Sequence, residues 1–68
     1  MEEGWKKIYS TDKPYQAEMA VELLDENGII GVAFNKKDST YLAFGNVEVF
    51  VKEADSDKAK EIINQSKL

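Results

Sequence analysis

Residues 46–51 read NVEVFV. Val47, Val49 and Val51 alternate with Glu48 and Phe50, the period of two that places successive side chains on opposite faces of a strand. A strand of this kind has one buried face, so the three valines are expected to point at helices. Upstream, residues 29–34, IIGVAF, form an apolar run too short for a helix and bounded by turn-forming residues, which predicts a second strand. Residues 5–10, WKKIYS, predict another, because Trp, Ile and Tyr favour a pleated, half-buried surface and TDKP ends the run.

Helices fill the remaining spans. Thr11 or Asp12 is expected to cap the first, with Pro14 in its opening turn, where a missing N–H costs little. Ala17, Ala20, Leu23 and Leu24 share one face, Val21 and Met19 lie at its margins, and Glu18, Glu22, Asp25 and Glu26 fall mostly outside it. The helix runs to about Asn27, and Gly28 supplies a left-handed terminator. Asp55 or Ser56 is expected to cap a second helix with the stripe Ala59, Ile62 and Ile63. The order β-α-β-β-α, with a right-handed crossover and the third strand inserted between the first two, predicts an α+β, ferredoxin-like domain. Its sheet has the order 1-3-2 and two helices on one face.

A chain of 68 residues makes one domain, here 1–68 with about 5–65 ordered between short polar tails. Without cysteine or histidine it lacks disulfides, thiolate zinc ligands and the commonest general base. No metal and no cofactor are expected. The charge is acidic, 13 carboxylates against 9 cations, all of them lysine. That balance argues against nucleic acid, which rewards a basic excess and arginine forks, and against a membrane surface. The N-terminus MEEGWKKIYS lacks the pattern of a secretory signal and no run is long enough to span a bilayer, so the expected location is cytoplasmic.

Two surfaces are candidates for function. If Ile8, Val32 and the three valines face the helices, then Trp5, Tyr9 and Phe50 share the bare face with Gly31 and Ala33, an aromatic patch suited to a partner. The second candidate is the loop of residues 35–46, where Lys36, Lys37, Asp38, Ser39, Thr40 and Tyr41 could hold a small anionic ligand. It lacks a glycine-rich cradle and a following helix N-terminus. The preferred reading of this stretch is a connection in which Thr40–Phe44, TYLAF, forms a hairpin arm. The first strand is expected on an open edge, where Lys6 and Lys7 either guard against unwanted pairing or border the place where a second copy docks. Glu18 with Glu22, and Asp55 with Asp57, read as solvated helix residues rather than acid–base pairs. Tyr15 and Met19, one turn apart, read as packing at the sheet margin.

Several of these segments together resemble a known family: Trp5, YSTDKPY at 9–15, Ala17, LLDENGI at 23–29, NKKDSTY at 35–41, Phe44-Gly45 with the three valines, and Ala59. The chain is similar to the small bacterial family of putative prokaryotic signal-transducing proteins, a domain of unknown function. The resemblance implies a ferredoxin-like, nitrogen-regulatory-protein-like fold and a cytoplasmic bacterial origin. It implies little chemistry, because fold does not fix function. The nitrogen regulators' long loop and phosphate-binding residues have no matching positions here. The expectation is a non-catalytic regulatory or interaction domain, a homo-oligomer that meets a protein or small ligand through the sheet face or the loop. The alternatives are a small-molecule enzyme using Lys37, Asp38 or Tyr41, and a purely structural homo-oligomer.

Overall fold

A computed structural model describes residues 4–35, 47–66 and 68. The elements are β1 (Trp5–Thr11), α1 (Pro14–Glu26), β2 (Val32–Asn35), β3 (Val47–Lys52) and α2 (Ser56–Ser66), which the chain enters through a 3-10 turn at Glu53–Asp55. The sheet has the order β1-β3-β2, and β3 pairs antiparallel with both neighbours. This is the expected ferredoxin-like arrangement. Val47, Val49 and Val51 are buried together with Ala17, Ala20 and Leu24 of α1 and Ala59 and Ile63 of α2, so both helices cover the valine face of the sheet.

The start of α1 departs from expectation. Lys13, not Thr11 or Asp12, occupies the cap position, and no side chain caps the helix directly. The Thr11 hydroxyl instead accepts the Lys13 N–H at 3.1 Å and donates to Gln16 Oε1 at 2.7 Å, tying the end of β1 to the first turn. Proline at the following position is tolerated because its missing N–H would have no helical partner there.

At the other end the chain leaves α1 as expected. Gly28 has φ +81°, its N–H donates to Asp25 O at 3.0 Å, and the Ile29 N–H donates to Leu24 O at 2.9 Å. These two bonds satisfy carbonyls that a helix end leaves open, and they swing Ile29 into the core against Leu24. A Cβ on Gly28 would meet nothing within 4 Å. The cost of Gly28→Ala is therefore conformational, about 1–2 kcal/mol for a left-handed residue. In urea unfolding followed by circular dichroism the midpoint should fall by roughly 1 M, given slopes of about 1 kcal/mol/M for small domains.

The phases of the two edge strands differ from the sequence reading. In β2, Val32 pairs with Phe50 and Phe34 with Glu48, while Ala33 pairs with Val49. Directly paired residues share a face, so Val32 and Phe34 lie on the helix-free side and Ala33 on the helix side. Gly31 also faces the helices: a Cβ there would stand 3.1 Å from Leu24 Cδ1, 3.6 Å from Val49 Cγ1 and 3.8 Å from Val21 Cγ2. At Gly31, just ahead of β2, α1 comes close enough that a larger side chain would meet Leu24, whereas Ala33 further along is exposed beside a cleft that Glu18, Val21 and Glu22 also line.

In β1 the reversal is local. Lys7 pairs with Phe50 and Tyr9 with Val49, so two residues of β1 oppose one of β3 and Ile8 is the extra residue of a β-bulge. Ile8 and Tyr9 both pack against the core, whereas Trp5, Lys7 and Ser10 pair with Lys52, Phe50 and Glu48 of the bare face.

Candidate functional site

Among the described residues, the face of the sheet opposite the helices brings several apolar side chains together. β3 contributes Glu48, Phe50 and Lys52 along its centre. β1 sets Trp5 beside Lys52, Lys7 beside Phe50 and Ser10 beside Glu48, while β2 sets Val32 beside Phe50 and Phe34 beside Glu48. Phe34 is 52% exposed and Val32 38%, and Ile30, just ahead of β2, is 70% exposed. Trp5 and Phe50 are half-buried. Side chains of this size, adjacent in a sheet that no other element among the described residues covers on this side, form the sort of apolar patch that marks a contact surface.

Its electrostatics are nearly balanced. Lys7 Nζ lies 3.4 Å from Glu48 Oε2, a diagonal pair across β1 and β3, and Lys52 adds one further cation beside Trp5. With the lysine side chain half exposed, the pair contributes at most about 1 kcal/mol. Its consequence is local neutrality: the face carries little net charge in a chain with a formal charge of −4.

Of the residues proposed from sequence, Trp5 and Phe50 meet on this face as expected. Tyr9 does not. The bulge turns it to the helix side, where its hydroxyl donates to Gln16 Oε1 at 3.3 Å, the same oxygen that accepts the Thr11 hydroxyl. Tyr9 thus braces β1 against the start of α1. The loop candidates Lys36, Lys37, Asp38, Ser39 and Tyr41 lie outside the described residues, as does the proposed hairpin arm at 40–44.

Val32 and Phe34 are the surface residues that the sequence reading missed. A signal was present in the alternation of Ile30, Val32 and Phe34 with the small residues Gly31 and Ala33, since a strand lying under a tightly packed helix keeps its small residues on that side. Among the described residues no three acidic side chains converge as an oxygen-ligated metal requires, and no helix is long and apolar enough to cross a membrane.

A family model described as "putative prokaryotic signal transducing protein" matches residues 5–67. That range contains all the described strands and the whole of both helices, and the family is the one that the segments from Trp5 onward resemble. No curated protein and no solved structure matches the chain.

Proposed function

The chain belongs to this family of putative prokaryotic signal transducing proteins, and on that footing we propose that it is a non-catalytic cytoplasmic interaction module whose bare sheet face docks on the same face of a second copy. The observation that carries this reading is the register that gathers Trp5, Phe50, Val32 and Phe34 on the side of the sheet opposite the helices.

Three features support a second copy as the occupant. The molecule is a slab 35 by 27 Å across and 14 Å thick, so its broad face can supply the roughly 800 Å² per partner of a standard interface. Among the described residues the core is small: three of its nine buried apolar residues are alanine, and burying the other sheet face adds apolar area. Charge favours the same arrangement. Glu18, Glu22, Asp25 and Glu26 all stand on α1, so packing sheet against sheet keeps the acidic helices on the two outer surfaces.

Sedimentation equilibrium and NMR line widths test the proposal. A dimer is expected at micromolar to tens of micromolar concentration, and Phe34→Glu combined with Val32→Glu should weaken it by about 100-fold or more, since central apolar anchors each contribute about 2 kcal/mol or more. The folded signature of that variant should persist, because neither residue supports the core. A strictly monomeric wild-type chain at millimolar concentration would refute the proposal, as would a dimer indifferent to both substitutions.

A further inference from the structure

The opposite side of the molecule carries a second, chemically different surface. From Pro14 to Asn35 the chain has no cation, while α1 holds Glu18, Glu22, Asp25 and Glu26. Their placement runs against the helix dipole: the first turn of α1 has no acidic residue and the last turn no basic one. Carboxylates therefore crowd the end where the unsatisfied carbonyls already make the potential negative. Neither ion pair found among the described residues, Lys7–Glu48 and Lys13–Asp12, neutralises any of the four. Departures from local electrostatic preference concentrate at functional surfaces, where another molecule restores the balance.

This acidic end borders an apolar groove. Met19, Glu22, Leu23 and Glu26 of α1, Ser66 at the end of α2 and Leu68 after it line a cleft of about 280 Å³. The Ser66 hydroxyl donates to Ile63 O at 2.7 Å, so among the described residues the side-chain polar groups that face the cleft without such a bond are the two carboxylates. Ahead of them on the same helical stripe, at spacings of four and three residues, stand Tyr15 and Met19, 57% and 49% exposed. One face of α1 thus presents an aromatic ring and a thioether at its start and carboxylates at its end, with a flexible methionine at the cleft, a residue suited to repacking around a partner's side chains.

We infer that this groove is the docking site for a cationic amphipathic helix of a partner protein, its apolar side chains resting on Met19, Leu23 and Leu68 and its lysines or arginines meeting Glu22 and Glu26. The helix-in-groove mode of recognition needs an apolar floor with anchors at helical spacing, and charge at the rim fixes partner and direction. The site lies on the helix side, apart from the sheet face proposed for self-association, and stands or falls independently of it.

The test titrates the ¹⁵N-labelled full chain with three probes: an 18-residue amphipathic leucine–lysine peptide, its leucine–glutamate counterpart, and spermine. The leucine–lysine peptide should shift amides of residues 15–26 and 63–68, and its affinity should fall tenfold or more between 50 and 500 mM salt. Glu22→Lys with Glu26→Lys should remove binding while leaving the sedimentation behaviour of the chain unchanged. Met19→Ser, milder toward the fold, should weaken the peptide at least threefold without altering the response to spermine. Equal binding of the leucine–glutamate peptide, spermine binding as tight as the peptide's, shifts confined to the sheet face, or no shift at millimolar peptide would each overturn the inference.

Discussion

Leu24→Ala is expected to lower the unfolding free energy by about 2–5 kcal/mol, the range for removing a fully buried leucine whose surroundings relax only in part. A chain of this length has a total of about 3–10 kcal/mol at the usual per-residue stability, so the variant should stand at or near the edge of unfolding. Leu24 is completely buried, receives the Ile29 N–H in the turn that ends α1, and sits directly over Gly31. Its loss opens a hole at the point where α1 meets the sheet. The same geometry predicts a coupling. Gly31→Ala alone places a methyl 3.1 Å from Leu24 Cδ1 and forces that side chain aside, whereas in the Leu24→Ala background the methyl enters vacated space. The double variant should therefore be more stable than the sum of the two single changes implies, by about 0.5 kcal/mol or more. Urea unfolding of the four proteins measures the difference, and additivity within error would show that helix and strand do not meet at this contact.

A second large effect separates the two faces of the sheet with one kind of substitution. Val49→Asp places a short carboxylate on the central strand, at a completely buried position beneath both helices. Burying such a charge costs several kcal/mol, and the outcome should be a chain unfolded at 25 °C, with collapsed amide dispersion in the ¹H–¹⁵N spectrum. Val32→Asp makes the same chemical change on the neighbouring strand, but on the bare face, where the side chain is 38% exposed. At concentrations that keep the chain monomeric it should cost about 1 kcal/mol or less, within the span of strand preferences. If Val32→Asp unfolds the protein as completely as Val49→Asp, the strand has the opposite phase and the proposed contact surface is lost.

That comparison also marks where the sequence ceases to be decisive. The central strand was legible because its apolar and polar residues alternate without ambiguity, and the helices were legible because their apolar residues recur at helical spacing and Gly28 punctuates the first. Strand β2 was not, since IIGVAF is apolar at every position and hydrophobicity cannot choose between its faces. The choice is made by volume, in the close approach of α1 above Gly31, which only the three-dimensional packing reveals. In β1 the difficulty is of another kind. A bulge inserts one residue without any residue type that announces it, so alternation counted from Trp5 puts Tyr9 outside when it lies inside. The candidate site was accordingly half readable: Trp5 and Phe50 from pattern, Val32 and Phe34 only from register.

The bulge has one more consequence. Strand β1 behaves like a text read in two frames, with Ile8 as the inserted letter that shifts every later word. Trp5 and Lys7 belong to the outer surface and Tyr9 and Thr11 to the interior, although all four are odd-numbered. Sequence drift in the first half of the strand can thus remodel what the molecule shows to others without disturbing what braces α1. Removing that one letter would restore plain alternation with Lys7 still opposite Phe50 and Tyr9 still opposite Val49, so the partner on β3, rather than the count along β1, decides which side chain faces out.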